Sequence, residues 1–134
     1  MRKRERKEKS CKNCNKPIAN ANTYCDHKCQ TIFQRKKYIS EWKKGLHDGI
    51  RSKKTLLVSK HIMNYLRERS NNSCESCGWN EINPYTNRVP IEIDHIDGDA
   101  SNNKEENLRM LCPNCHSLTS TFRNTGNRKS KRIR

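Results

Sequence analysis

Residues 91–122 read IEIDHIDGDASNNKEENLRMLCPNCHSLTSTF, and the order of chemical types in this stretch decides the fold. Val89, Ile91 and Ile93 alternate with other residues, which predicts a strand over 89–95. The run 97–107, DGDASNNKEEN, consists largely of turn formers. Leu108 and Met110 alternate in a second short strand. Pro113 then stands where a helix begins and its missing N–H is not felt. That helix is expected over about 113–122, carrying Cys115, His116, Leu118 and Phe122.

Strand end, second strand and helix start can converge on one point, and the residues they deliver there are Asp94, His95, Asn107 and His116. Phosphodiester hydrolysis needs a base to take a proton from water, and an imidazole suits that task near neutral pH. It needs a divalent cation to neutralise charge on the phosphate and the departing oxygen. It also needs a neighbour that holds the base in one tautomer. Asp94 and His95 are adjacent, so on a regular strand they point to opposite faces; Gly98 just beyond allows the strand to twist. The aspartates at 94, 97 and 99 do not form a calcium loop of the EF-hand kind. Counted from Asp94, the third and fifth positions are Ile96 and Gly98, and the glycine required at the sixth is Asp99.

Around this stretch the chain carries 8 cysteines in four close pairs, Cys11/Cys14, Cys25/Cys29, Cys74/Cys77 and Cys112/Cys115. Such spacing lets two thiolates of one turn reach the same zinc, and two pairs complete a tetrahedron. Two structural Zn²⁺ sites are expected, one from Cys74, Cys77, Cys112 and Cys115, the other from Cys11, Cys14, Cys25 and Cys29. A disulfide framework is the alternative. It fits secreted proteins, whereas the opening MRKRERKEKS has no apolar stretch behind it, so an intracellular location is expected. Only 31% of the 134 residues are hydrophobic and 6% aromatic, too few for a thick core, so a staple, either metal or disulfide, is expected. No apolar run is long enough to span a bilayer.

The net charge is +15, from 29 Lys and Arg against 14 Asp and Glu, which favours a polyanionic partner without identifying it. The organisation expected is a basic flexible arm over 1–10, a zinc finger with its helix over 11–46, a linker over 47–58, a catalytic unit over 59–126 and a basic tail over 127–134. Helices are expected over about 28–45, with Ile32, Ile39, Trp42 and Leu46 near one face, and over about 60–70, capped by Ser59. Asn102 and Asn103 are read as turn residues.

The segment from about 74 to 123 resembles the HNH endonucleases of phages and bacteria. The resemblance rests on the Asp94-His95 pair, the Asn107-Leu108 step, the Cys112-Pro-Asn-Cys115-His116 ending and the nine positions from Asn107 to His116. The lead-in VSKHIMNYLRERSNNSCESCGW resembles the helix and first knuckle of phage members, and CKNC with YCDHKC looks like a treble-clef-type zinc module. The resemblance implies a small, zinc-stabilised α+β protein with a ββα-metal nuclease domain behind a helix and an N-terminal four-cysteine zinc finger. It implies Asp94 and His116 as ligands of the catalytic metal, His95 as general base and Asn107 orienting the His95 ring through its side-chain carbonyl. Colicin-type members add a histidine one turn later, where this chain has Ser120. A water-rich site for Mg²⁺, Mn²⁺ or Ni²⁺ is therefore expected.

Each of these residues has a plainer reading. His95 could be a surface histidine, Asp94 and Asn107 turn or cap residues, and His116 a zinc ligand in place of a cysteine. His27 stays unassigned, and His47 and His61 are read as solvent-facing. Arg109, Lys104, Arg123 and Arg128 are candidate phosphate contacts, with a solvated basic face as the alternative. The expected activity is divalent-metal-dependent cleavage of double-stranded DNA, by nicking or double-strand cutting, acting alone, as a homodimer or with a phage or host protein. The alternative is a non-catalytic zinc-finger protein that binds nucleic acid, or an adaptor that binds an acidic protein.

Overall fold

The computed structural model describes residues 8–19 and 21–124. The chain divides into two compact units, Met1–Glu41 and Trp42–Arg134. The 1–10 arm falls outside the described residues over 1–7, and so do the 127–134 tail and Arg128.

In the first unit, β1 (Lys9–Ser10) pairs antiparallel with β2 (Pro17–Ile18), and the turn between them carries Cys11 and Cys14. Asn15 takes a left-handed φ of 61° in this turn, a conformation asparagine tolerates better than most residues. Cys25 lies just ahead of α1 (His27–Lys43), and Cys29 lies in its first turn. Asp26 caps that helix by accepting the Cys29 N–H at 2.6 Å. A knuckle in a hairpin and a helix start thus face one another, with Tyr24 and Phe33 packed at 5.6 Å beside them.

The second unit opens within α1, at Trp42. The segment 47–58, expected as a linker, instead carries a hairpin of β3 (Ile50–Ser52) and β4 (Leu57–Val58) with an irregularity at Ile50/Ser52. No clean apolar alternation marks these strands, so their pairing was not legible as a period. The hairpin leads into α2 (Lys60–Arg69), whose Ser59 cap accepts the His61 N–H. Ile62 and Leu66, one turn apart on α2, are fully buried. They form a small core with Trp42, Val89, Ile91, Leu108, Met110 and Leu111. Arg67 reaches across to donate to the carbonyls of Val89 and Ile91, each at 3.2 Å.

The central feature is the antiparallel pair β5 (Glu92–His95) and β6 (Leu108–Leu111), with Asp94 opposite Arg109 and His95 opposite Leu108. The expected strand over 89–95 is shorter at its start. The Cys74–Cys77 knuckle is bonded onto β6, because the Glu75 N–H donates to the Met110 carbonyl and the Glu75 carboxylate accepts the Met110 N–H. After β6 comes α3 (Pro113–Ser117), followed by a separate 3₁₀ turn at Phe122–Asn124. The helix expected over 113–122 therefore stops at Ser117, and Leu118 is 85% exposed. The reason is local. The Ser117 hydroxyl donates to the Asn114 carbonyl and the Thr119 hydroxyl to that of His116, offering the backbone an exit from the helix. Among the described residues no helix is long and apolar enough to cross a membrane.

Candidate metal and catalytic site

Both cysteine quartets assemble. The Sγ atoms of Cys11, Cys14, Cys25 and Cys29 lie within 4.8 Å of one another, and so do those of Cys74, Cys77, Cys112 and Cys115. All eight thiols are free. Cys14 and Cys25 stand 3.7 Å apart, and Cys77 and Cys112 3.8 Å. Four sulfurs about 2.3 Å from a tetrahedral Zn²⁺ lie about 3.8 Å from each other, whereas a disulfide needs about 2.05 Å. The donor sets therefore fit structural zinc.

The electrostatics agree. Burial pushes the Cys74 thiol up, but the backbone N–H groups of Cys112, Cys77 and Ser76 outweigh it and bring it down to about 6. Its partner Cys115 is pushed up to about 12, chiefly by the sulfurs of Cys77 and Cys112. Sulfurs packed this closely cannot all ionise without a cation between them. In the first unit, the Asn13 amide donates to the Cys29 sulfur at 3.3 Å, an outer support for that quartet.

Beside the second quartet, β5 presents Glu92 and Asp94 on one face, since residues two apart on a strand share a side. Asp94 is 4% exposed. Its Oδ1 lies 3.7 Å from His116 Nε2, and its Oδ2 accepts Arg109 Nε at 2.7 Å. The other ring nitrogen of His116, Nδ1, meets Glu92 Oε2 at 2.8 Å. A carboxylate only accepts, so Nδ1 carries the hydrogen and Nε2 offers its lone pair toward Asp94. Two donors sharing a cation at about 2.1 Å each stand about 3 to 4 Å apart, so Asp94 and His116 fit a common divalent ion. Phe122 packs edge-on against the His116 ring at 5.4 Å.

His95, one residue beyond Asp94, is turned to a different neighbour. Its Nε2 lies 2.8 Å from Asn103 Oδ1. His95 also borders an open groove of about 320 Å³ shared with Leu57, Met63 and Ile93. Among the described residues no hydrogen bond joins His95 to Asp94, Asn107 or His116. The role expected for Asn107 is thus corrected. Its side-chain carbonyl accepts the Asp97 N–H at 3.0 Å, and its amide donates to Asp97 Oδ1 and to the Asn102 carbonyl. Asn107 braces the loop between β5 and β6, while the neighbour of the His95 ring is Asn103. The brace extends through Asp97, whose carboxyl is held below its ordinary value by the Asn102 amide, the Asp99 N–H and the Asn107 amide.

Sequence reasoning missed two residues, Glu92 and Asn103. For Glu92 a signal existed, because the alternation that puts Asp94 toward the helix puts Glu92 there as well. Of the basic residues singled out, Arg109 is engaged by Asp94, Lys104 is exposed, and Arg123 stacks over Phe122 at 5.1 Å.

Residues 74–121 match the family model for HNH endonuclease. The chain is similar to H-N-H endonuclease F-TflIV of Escherichia phage T5, 47% identical over 49 residues, which are 36% of this chain and 20% of that protein. The chain thus spans about a fifth of the length of that relative. No solved structure gives a significant match. The β5–β6–α3 arrangement, with one cysteine quartet beside it, lies within residues 74–121, and over that segment the chain is similar to the HNH endonucleases.

Proposed function

We propose that the protein is a divalent-metal-dependent endonuclease that hydrolyses phosphodiester bonds in double-stranded DNA. The observation that carries this reading is the Asp94–His116 pair, 3.7 Å apart, with the histidine tautomer set by Glu92. A structural histidine needs no carboxylate on both of its nitrogens. A metal ligand uses one such partner to direct its lone pair.

In this mechanism Asp94 and His116 would hold Mg²⁺, Mn²⁺ or Ni²⁺, which would supply charge neutralisation at the scissile phosphate and the departing 3′ oxygen. His95 takes the proton from the attacking water. Asn107 keeps the β5–β6 loop in the shape that presents His95. Arg109 fixes the Asp94 carboxylate and would add positive charge for a phosphate. Lys104, Arg123 and Arg128 would add grip on the backbone without reading sequence. The expected products are 5′-phosphate and 3′-hydroxyl ends. One such site cuts one strand, so a double-strand break requires two copies or two successive nicks.

The test is a supercoiled-plasmid assay with zinc-loaded protein. Nicking with Mg²⁺, Mn²⁺ or Ni²⁺, abolished by EDTA while both zinc ions remain bound, is the expected result. An intact plasmid under all three ions, alongside tight binding in a gel shift, would return the chain to a non-catalytic nucleic-acid-binding role.

A further inference from the structure

Asn103 is 4% exposed, although it sits in a loop of polar residues. Three of its polar atoms have partners. Its amide nitrogen donates to the Asp48 carbonyl at 3.2 Å, and its own backbone carbonyl accepts the Trp42 indole N–H at 2.7 Å. Its side-chain carbonyl faces His95 Nε2 at 2.8 Å. The seat is close-fitting. Gly49 has φ +71°, and a Cβ there would stand 2.9 Å from Asn103 Cβ and 2.9 Å from Ile62 Cδ1. Trp42, Asp48 and Gly49 all precede residues 74–121, the part of the chain that matches the family.

We propose that Asn103 is the positioning residue for His95, and that Trp42, Asp48 and Gly49 form its seat, so that the active site is completed by the segment upstream of the HNH module. The argument is one of donors and acceptors. A backbone carbonyl cannot donate, so the Asp48 contact fixes which end of the Asn103 amide is nitrogen. Its oxygen then faces His95, and an oxygen acceptor requires the hydrogen on Nε2. The His95 lone pair is left on Nδ1, the atom that takes the proton from water. Without Asn103 the ring is free to exchange tautomers and to rotate, and the base is in working form for only part of the time. Asn107 cannot substitute, because its carbonyl is held by the Asp97 N–H.

This inference rests on the reading of His95 as general base, and the experiment separates the two. The full zinc-loaded chain, ¹⁵N-labelled at histidine, is examined by NMR with Mg²⁺, and the same samples are assayed for nicking. Wild-type His95 is expected as the Nε2–H tautomer. Asn103→Leu removes the acceptor at similar volume; it should mix the tautomers and lower kcat by about tenfold to a hundredfold, the range for loss of an orienting partner, with little change in KM for DNA. Asn103→Asp restores an oxygen facing Nε2, and should recover the Nε2–H tautomer and most of kcat. An Asn103→Leu protein with unchanged tautomer and kcat overturns the proposal. So does an equal loss in both variants, which would make Asn103 only a structural plug. A wild-type protein that holds the Nε2–H tautomer yet never nicks DNA refutes the nuclease reading and leaves the positioning contact standing.

Discussion

Replacing Glu92 by alanine tests whether His116 is a metal ligand with a directed lone pair. The substitution removes the acceptor 2.8 Å from Nδ1 and leaves Asp94 in place. Two effects bound the outcome. As an ion pair alone, an exposed partner is worth about 0.2–1 kcal/mol, at most about a fivefold change; Glu92 is 60% exposed, so this limit applies. As an orienting partner of a ligating histidine, its loss costs about tenfold to a hundredfold in metal affinity or activity. The exposure of Glu92 places the expected weakening near the lower end, about fivefold to tenfold. The assay is nicking rate against Mn²⁺ concentration, paired with calorimetric titration of Mn²⁺ into zinc-loaded protein. The midpoint should move up in both, while the rate at saturating Mn²⁺ stays within about twofold, because the lone pair is still available once the ion is forced in. If the Mn²⁺ midpoint does not move, or if the saturated rate falls without any shift in midpoint, Glu92 does not act through the metal and the argument for His116 loses its support.

Four other outcomes are expected. His95→Ala should abolish nicking while gel-shift affinity and zinc content stay near wild type; a variant that still cuts would remove His95 from the chemistry. Cys112→Ser should reduce bound zinc from two ions to one and lower thermal stability, since a structural ligand contributes directly to folding; an unaltered melting curve would break the second quartet apart. Leu66→Ala, at a fully buried position on α2, should cost about 2–5 kcal/mol in denaturant unfolding, and a loss below about 1 kcal/mol would mean that α2 does not form the core. Asp97, held below its ordinary 3.8 chiefly by the Asn102 amide, contributes stability that is complete above 3.8 and is lost only as pH falls through its lowered folded value. The side-chain amide resonances of Asn102 and Asn107 should therefore hold steady through neutral pH and move only in acid, and movement near neutrality would contradict the brace.

What could be read in the chain divides by range. Close spacing announces itself, so Cys112-Pro-Asn-Cys115-His116 and Asp94-His95 were legible at once. The quartets were legible too, because two short turns and a fixed sulfur–sulfur distance leave few alternatives. The strands β5 and β6 followed from alternation. The end of α3 did not, because the side-chain hydroxyls that release it compete with the helix only through specific hydrogen bonds. Asn103 was invisible for a different reason. Among Asp97, Asp99, Asn102 and Asn107 it looks like one more turn former, and what distinguishes it is contact with Asp48 and Trp42, 55 and 61 residues away. The hairpin over 50–58 was lost likewise, for it closes on Gly49 through the Ser59 N–H rather than through an apolar period.

The second quartet also bears on how so short a helix would hold the metal ligand proposed at His116. Five residues are far below the length at which a helix persists in water, yet the proposed role requires His116 to keep its Nε2 facing Asp94, 3.7 Å away. Pro113 starts α3 with a preset φ, and Cys112 caps it by accepting the Cys115 N–H on its sulfur at 3.4 Å. Zinc bound by Cys112 and Cys115 would then tie both ends of that turn to the knuckle, and the knuckle is hydrogen-bonded to β6 through Glu75. With zinc bound, a single helical turn would link the metal to the imidazole. Zinc would take no part in bond cleavage, but its removal should abolish metal-dependent activity by releasing His116. A mild chelator that strips only the exchangeable ion should instead leave α3, and the His116–Glu92 contact, in place. The two losses of activity would look alike in a cleavage assay and differ in reversibility, since only the second is repaired at once by adding Mg²⁺ or Mn²⁺.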